Sequence, residues 1–517
     1  MNDNAKIISE LSRDQLELLR ARLSRLTKKG RDDSLMPITR QSRDSNKFPL
    51  SFAQQRLWFI DQMVPGGFAY NIPTAVRLTG RLDADALERA LNEIVRRHES
   101  LRTTFTTVDE QPVQVIAPSG SVPLHKIDLM GLPYAEREAE ATRLTGEETR
   151  QPFDLSRGPL LRATLMRVDE QDHILVRTIH HVVSDKISQD ILVRELIALY
   201  DAFSTGRPSP LQELPIQYAD FAHWQREWLR GEVLESQLAY WKQKLAGAAP
   251  ALNLPADRAR PPVQTFNGAR HSMQLPVELV ADIELLSQRE GCTPFMTLLA
   301  ALKALIYLYT NQQDISIGTT ISGRHRTEIE SLIGFFVNTL VLRTEVPGDV
   351  SFSDLLGLVR EVVLGAEAHQ YVPFEKLVEE LHVQRDPSRH PLFQVIFNLQ
   401  TAPPSSFELP GLVLTPIEAN NGTVKFDMAI FLARIPEGLF GSFFYNTDLF
   451  EASTIARMAE DYETLLRTVA ARPGARLGEL QEMLSQENQR KRALRLNELK
   501  RSNLQRLKAV RRKGAGE

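Results

Sequence analysis

The chain has one cysteine, no long apolar run and almost no net charge. Cys292 stands alone among 517 residues, which excludes an internal disulfide framework and a cysteine-based zinc site. No run of 18 uninterrupted apolar residues occurs, so we expect no membrane span. Residues 1–6 lack the apolar centre of a signal peptide. We therefore expect a cytoplasmic protein that works in a reducing compartment.

Charge is unevenly distributed along the chain, although the net charge is only −3. Residues 490–513 carry eleven Lys or Arg residues against one acid, Glu498. This stretch has no Phe, Trp or Tyr, so it lacks the aromatic stacking platform of a single-strand nucleic-acid binder. Its leucines follow an imperfect helical stripe. We expect a linker helix or a partner-docking helix here, with nucleic-acid binding as a weaker alternative.

Strand-like and helix-like patterns alternate in both halves of the chain, which is longer than one core usually requires. Asp83 predicts a cap for a helix over residues 86–95, and residues 173–179 predict a buried strand. The alternation indicates an α/β fold with two similar lobes. We expect an N-terminal helical appendage or docking segment over residues 1–45. Lobes over 46–218 and 219–472 follow, and then a basic linker or docking helix over 473–517.

The strand of residues 173–179 ends at two adjacent histidines, His180 and His181, with Asp185 four residues further on. An imidazole is the side chain best suited to exchange a proton near neutral pH. At the end of a rigid strand it would face a cleft. The alternative is a pair of ordinary core histidines, and the residues of this segment alone leave both interpretations open.

Six further clusters accompany the His-His-x-x-x-Asp segment. In chain order the seven cover residues 51–58, 97–105, 180–185, 218–224, 333–339, 369–375 and 385–392. In this order and spacing they resemble the seven core motifs of condensation domains of nonribosomal peptide synthetases. The resemblance covers residues 48–472. Residues 56–62 and 70–73 are most similar to the subtype that joins an L-configured donor to an L-configured acceptor.

The resemblance implies both a fold and a reaction. The fold is two chloramphenicol-acetyltransferase-like lobes set in a V-shaped pseudo-dimer, with a central tunnel between them. Donor and acceptor carrier proteins would deliver a thioester and an amine on phosphopantetheine arms, and the product would be an amide. The chain itself would then bind no cofactor and no metal. Residues 1–45 or 473–517 would be the docking segments of a freestanding domain.

The resemblance also assigns residues. His181 would be the central catalytic group of a motif that includes His180 and Asp185, acting as a base or positioning the amine. The family's Asp pairs with an Arg of the second lobe, and Arg324 is the matching residue. Two more residues would shape the tunnel, namely Arg56 and Asn338.

The chemistry of thioester aminolysis agrees with these residues. The reaction needs an uncharged amine, two reactants held close together and a group that accepts or orients a proton. It needs no enzyme nucleophile, and the sequence has neither a G-x-S-x-G elbow nor a credible cysteine nucleophile.

The motif departs from the family at Lys186, where a glycine is usual, while Ile187 and Ser188 keep the usual types. Lys186 and Ser188 are therefore candidates for shaping the tunnel or its specificity. Lys186 would contact an anionic acceptor, extend into solvent, or block condensation. The last case leads to a different function, a catalytically silent domain that recruits a tailoring enzyme to a carrier protein. Ester formation and epimerisation are further alternatives, although the motif changes of epimerases are missing.

Overall fold

Two six-stranded sheets, one in each half of the molecule, organise the fold. The structure is a computed structural model that describes residues 36–249, 251–383, 386–400, 408–409 and 411–490. Helices cover the sheets in both halves, so the predicted α/β class and its two lobes are confirmed. Residues 1–35 of the expected N-terminal appendage and the basic stretch after Arg490 lie outside the described residues.

The first lobe contains seven strands and four helices, followed by two helices that lead to the second lobe. The strands are β1 (Lys47–Pro49), β2 (Asn71–Gly80), β3 (Thr103–Val108), β4 (Gln111–Ile116), β5 (Leu124–Asp128), β6 (Leu161–Asp169) and β7 (Asp172–His180). The helices are α1 (Phe52–Met63), α2 (Ala84–Arg97), α3 (Tyr134–Arg150), α4 (Lys186–Ser204), α5 (Tyr218–Trp228) and α6 (Glu232–Leu245). Strands β1, β4 and β3 form a separate three-stranded sheet.

In the described part of the second half, the chain forms eight strands and five helices, and a further helical stretch covers residues 477–490. The strands are β8 (Gly268–Pro276), β9 (Asp314–Ile321), β10 (Asn338–Glu345), β11 (Val395–Gln400), β12 (Glu408–Leu409), β13 (Leu412–Ile417), β14 (Met428–Ile435) and β15 (Gly438–Asn446). The helices are α7 (Val277–Arg289), α8 (Pro294–Thr310), α9 (Phe352–Ala368), α10 (Phe374–Glu380) and α11 (Ala452–Ala471). Six of these strands form the sheet of the second lobe in the order β10-β9-β11-β14-β15-β8.

Two strands of the second half belong to the sheet of the first lobe, whose order is β12-β13-β2-β7-β6-β5. Strand β13 pairs antiparallel with β2, from Leu412 opposite Gly80 to Ile417 opposite Ala75. A single division after residue 218 therefore does not describe the strand pairing, because the second half completes the first sheet. This exchange joins the two lobes through backbone hydrogen bonds.

Local sequence explains why the elements near the predicted histidines form. Helix α2 begins after Asp83, whose side chain accepts hydrogen bonds from the backbone N–H groups of Asp85 and Ala86. Its apolar face is buried at the helical spacing that the sequence predicts. Strand β7 is buried from Ile174 to its end, as its β-branched composition indicates. These elements form one core beneath the sheet of the first lobe.

The described parts of the two predicted appendages pack against the domain. Ile38 is buried, and the carbonyl of Met36 accepts a hydrogen bond from Trp224 Nε1. Near the other end, Leu477 and Leu480 are buried in the core of the second lobe. Apolar side chains of these stretches thus complete cores of the globular body, and the boundaries at residues 45 and 472 stay predictions.

No single helix of the described ranges is long and apolar enough to cross a membrane. Helices α7 and α8 satisfy the length and composition criteria only as a pair, and they are bent by 101° relative to each other.

Replacing Gly80 by alanine should destabilise the pairing of strand β13 with strand β2. Gly80 has a φ of +130°, and an added Cβ would lie 2.1 Å from the carbonyl oxygen of Gly411. Backbone strain and this contact should together lower the free energy of unfolding by about 1–3 kcal/mol. Urea unfolding measures the loss. Gly146→Ala in helix α3 is the control, because no atom lies within 4 Å of its new Cβ. Equal stabilities of the two variants would contradict the packing described here.

Candidate active site

His181 lies where strand β7 ends and a short 3₁₀ turn, His181–Val183, leads into helix α4. Its backbone N–H donates to the carbonyl of Tyr70 at 2.9 Å, which ties the turn to the start of β2. Asp185 caps helix α4, because its carboxylate accepts from the Ser188 N–H at 2.8 Å. The sequence thus places the imidazole on a short loop that is anchored at both ends.

The side chain of His181 is held in one orientation. Its Nδ1 lies 2.8 Å from the carbonyl oxygen of Ser184. A carbonyl can only accept, so Nδ1 carries the proton and Nε2 is the unprotonated nitrogen. The Phe335 ring packs edge-on against the imidazole, with centroids 4.6 Å apart. The partly exposed ring can therefore present a basic nitrogen to a reacting group.

Both histidines of the motif are uncharged at neutral pH. Burial lowers the pKa of His181 well below its usual value, and the nearby Lys425 lowers it further. Burial lowers the pKa of His180 to about 3. The His180 ring lies edge-on to Phe153, and its Nδ1 accepts from the Val182 N–H at 3.2 Å. His180 thus shapes the turn, whereas His181 can accept a proton or a hydrogen bond.

Residues 333–336 of the second half insert into the first lobe, and we call them the clasp segment. Ile333 and Phe335 pack into the first-lobe core. First-lobe side chains hydrogen-bond the backbone groups of all four residues. These bonds join Ile333 N to His98 Nδ1 (3.3 Å), Ile333 O to Ser100 Oγ (2.7 Å), Gly334 O and N to Ser188 Oγ (2.8 and 3.0 Å), and Phe336 N to Asp185 Oδ2 (3.1 Å). Tyr218 Oη donates to Phe335 O at 2.5 Å.

A buried ion pair closes the same contact. Arg324 Nη2 lies 3.3 Å from Asp185 Oδ1, and the two side chains are only 3% and 1% exposed. The guanidinium also donates to the carbonyls of Ile329 and Leu332 at 2.6 and 2.8 Å. It stacks over the Phe336 ring at 4.0 Å. Arg324 and Asp185 therefore brace the loop of His181 from the second half of the chain.

Lys186 extends into solvent, which is one of the three expectations for it, and Ser188 is engaged in contacts between the two halves of the chain. Lys186 is exposed, and its ammonium pairs with Asp190 one turn along helix α4. It is therefore neither a tunnel-lining residue nor an obstruction beside His181, because its helical position directs it to solvent. Ser188 is fully buried, and its hydroxyl is occupied by Gly334 and by Arg324 Nη2 at 2.9 Å. Ser188 holds the lobes together and has no free group for specificity.

Arg56 and Asn338, which were expected to shape the tunnel, each contact a different set of partners. Arg56 Nη1 pairs with Glu375 at 3.3 Å, and Nη2 lies 3.2 Å from His390 Nε2. Asn338 Nδ2 donates to the carbonyls of Gln370 and Val372 at 2.9 and 2.8 Å. Asn338 thus fixes the loop before helix α10, and Arg56 connects helix α1 to that helix.

Lys425 is a functional candidate that the sequence motifs did not indicate. Its ammonium lies 4.4 Å from the centre of the Tyr70 ring, and Tyr70 anchors the His181 turn. Burial, with the charge of Arg56, lowers the pKa of Lys425 to about 7. Its charge in turn disfavours protonation of both motif histidines. Lys425 precedes β14, far from β7 in sequence, so only the fold brings these groups together.

Two cavities include residues close to this region in their lining, and His181 is not among the residues that line either of them. One, of about 1050 Å³, lies between the lobes and has mostly apolar walls. Strand β7 connects it to the histidines, since Arg177 lines it. The other, of about 60 Å³, is lined by Phe335, Asn338 and Glu375. Among the residues placed by the structure, no cluster of three or more His, Cys, Asp or Glu could hold a metal ion.

Comparison with known proteins agrees with this geometry. A family model described as the condensation domain matches residues 44–491. One of the linear gramicidin synthase polypeptides from Brevibacillus parabrevis is 50% identical over 439 residues, which is 84% of this chain and 6% of that polypeptide. The chain thus spans less than a tenth of the length of this curated relative.

Two solved structures share the fold. The X-domain from teicoplanin biosynthesis, in complex with OxyB, has a TM-score of 0.79 and 30% identity, and the match covers 86% of this chain and 98% of that one. The first condensation domain of the calcium-dependent antibiotic synthetase, in complex with a substrate analogue, has a TM-score of 0.69 and 25% identity. That match covers 84% and 99% of the two chains.

Replacing Arg324 by methionine should leave Asp185 as a buried, uncompensated carboxylate. We expect the free energy of unfolding to fall by about 3–5 kcal/mol, the usual cost of breaking a buried pair. Denaturant unfolding measures the change. Arg467→Met is the control, because Arg467 forms an exposed helical pair with Glu463 that should contribute less than about 1 kcal/mol. A loss no larger than in the control would show that the pair does not brace the lobes.

Replacing Lys425 by methionine should raise the pKa of His181. The variant removes a positive charge that opposes imidazole protonation, so protonation should occur at a higher pH than in the unmodified chain. Titration of ¹³C-labelled histidine, with the His181 signal assigned by its loss in His181→Gln, measures the pKa. Lys376→Met is the control, because Lys376 pairs with Glu379 on helix α10. An unchanged or lower pKa in Lys425→Met would contradict the assigned proximity.

Proposed function

Since the chain belongs to the condensation-domain family of nonribosomal peptide synthetases, we propose that it forms an amide bond between an acyl thioester and an amine. Condensation domains of this family are acyltransferases that work with carrier proteins. In this proposal both reactants arrive on phosphopantetheine arms of carriers, and the acyl chain moves to the acceptor. The observation that carries the proposal is the neutral His181 imidazole, whose proton on Nδ1 is engaged by Ser184.

The lowered pKa of His181 decides how it would act. An imidazole with a low pKa is a weak base at equilibrium, so it would not deprotonate an ammonium group efficiently. It is well suited to accept a hydrogen bond from a neutral amine at Nε2 and to orient the nitrogen lone pair toward the thioester carbon. His181 would thus first act as a positioning group.

Proton transfer would follow formation of the C–N bond. In the tetrahedral adduct the former amine nitrogen is positively charged and acidic, so it can pass a proton to Nε2. Collapse of the adduct breaks the C–S bond, and the leaving thiolate takes the proton back from the imidazolium. The products are an amide and a free thiol arm, and His181 is neutral again.

The clasp segment would support this role by fixing the loop. Phe335 limits the motion of the imidazole, while Asp185 and Arg324 hold the loop to the second half. Confinement of two reactants beside a fixed group is the kind of effect that lowers the entropic part of a bimolecular barrier. A passage past His181 that admits one arm from each side remains our proposal, as does the L-donor and L-acceptor subtype.

Carrier docking through residues 1–45 or 473–517 is part of this proposal. Within these ranges Ile38 packs on the domain, and so do Leu477, Leu480 and Leu484. The second range contains all eleven basic residues noted in the sequence, and carriers with acidic surfaces would complement it.

Recruitment of a tailoring enzyme is the second candidate function. The structural likeness to an X-domain crystallised with OxyB favours it. The placement of Lys186 counts against it, because an exposed lysine does not block the site. The acceptor can also be an alcohol, in which case the same site would form an ester.

Reaction of loaded carriers tests the proposal. With an aminoacyl donor carrier and an aminoacyl acceptor carrier, mass spectrometry should detect a carrier-bound amide. His181→Ala should slow its formation by about 10²–10⁴-fold, the usual contribution of a positioned proton-transfer group. Lys186→Gly is the matched control on the same loop, and it should form product at a similar rate. Product formation that does not change in His181→Ala would reject the role of His181. If the unmodified chain forms no product with the amine acceptor or with an alcohol acceptor, the result would favour recruitment.

A further inference from the structure

Arg177 of strand β7 is a buried cation with few partners. The residue is 5% exposed, and it lines the interlobe cavity. Its Nη2 donates to the side-chain oxygen of Gln189 at 2.7 Å. Its Nε is buried and has no hydrogen-bond partner. No carboxylate of the described chain lies within ion-pair distance of the guanidinium. Burial therefore lowers its pKa, to about 10, without an opposing charge.

Three other buried cations among the described residues have ion-pair or hydrogen-bond partners. Arg97 pairs with Glu195 at 3.0 Å, and Arg324 pairs with Asp185. Lys303, which has no carboxylate partner, donates to the carbonyls of Ile315 and Leu342 and to the hydroxyl of Thr344. Burying a charge without compensation costs free energy. A bound anion beside Arg177 would offset that cost.

The cavity beside Arg177 is large and apolar. Its volume is about 1050 Å³, which is enough for a long acyl chain. Its first-lobe wall includes Val76, Leu175 and Leu196, and its second-lobe wall includes Ile283 and Leu298. The charged residues at its other margin, Arg434 and Glu284, neutralise each other in an ion pair. Arg177 is thus a cation without a counter-charge in the mostly apolar lining of this cavity.

Arg177 lies on the strand that ends at the histidines, so its position connects the interlobe cavity with the proposed reaction. It lies four residues before His181 on the same chain segment, a span of about 13 Å along an extended strand. A molecule that reaches from the histidine loop to Arg177 would therefore extend over several carbon–carbon bonds.

We propose that the interlobe cavity binds the chain of an apolar substrate that carries one carboxylate, and that Arg177 binds this carboxylate. The identity of the ligand as a substrate of the condensation reaction rests on the proposed function. The planar guanidinium of Arg177 offers several donors to a carboxylate, the geometry that arginine favours. An anion in this place would restore the missing charge balance, and the apolar walls would select against strongly polar chains.

Two matched thioesters of N-acetylcysteamine test this inference without carriers or an acceptor. The acid probe is the suberoyl thioester with its free terminal carboxylate, and the neutral probe is its methyl ester. Isothermal titration calorimetry should show that the unmodified chain binds the acid probe roughly tenfold or more tightly than the ester, as expected for hydrogen bonds to a charged group. Arg177→Gln should lose this preference while its affinity for the ester stays similar.

Arg434→Gln is the control variant, since it removes a paired charge from the margin of the same cavity and should keep the preference. A crystal structure of the unmodified chain with the acid probe gives a second measurement that needs no variant. Its carboxylate should lie within hydrogen-bond distance of the Arg177 guanidinium.

Equal binding of the two probes, no binding of either, or an equal preference in Arg177→Gln would overturn the inference. So would a carboxylate that lies elsewhere in the crystal. The outcome is separate from that of the carrier assay. Amide formation without a probe preference would reject only the Arg177 site, and a probe preference without amide formation would reject only the proposed reaction.

Discussion

The insertion of the clasp segment into the first lobe is the contact on which the site depends. Buried backbone groups must find partners, and here side chains of the other lobe provide them. Gly334 is required at this point, because an added Cβ would lie 1.9 Å from the Tyr218 ring. The same segment delivers Phe335 to the imidazole. The side chains that hold it are those of His98, Ser100, Asp185, Ser188 and Tyr218.

Electrostatics around the clasp follow from the same burial. Asp185 and Arg324 compensate each other, so a buried ion pair braces the loop. His181 is left neutral by burial and by the charge of Lys425, which favours binding of an uncharged amine over an ammonium. Burial lowers the pKa of Arg177 as well, in this case without a nearby carboxylate.

Local sequence patterns predicted much of the fold, but they could not predict contacts between segments that are distant in sequence. The cap at Asp83 and the apolar run of β7 determine their elements through near neighbours, so both were predicted correctly. The exchange of β13 depends on pairing with a strand of the other half, and no local pattern encodes it. The position of Lys425 relative to His181 depends on tertiary structure in the same way. Lys186 was ambiguous, because sequence does not reveal which side of α4 faces solvent.

The protonation state of His181 at neutral pH is the central claim, and ¹⁵N NMR of the labelled imidazole measures it most directly. We predict a neutral ring with the proton on Nδ1, seen as one pyrrole-type shift at Nδ1 and one pyridine-type shift at Nε2. The signal would be identified by its absence from a His181→Gln sample. A ring protonated on Nε2 alone, or an imidazolium with both nitrogens protonated, would contradict this claim, because neither offers an unprotonated Nε2 to an incoming amine.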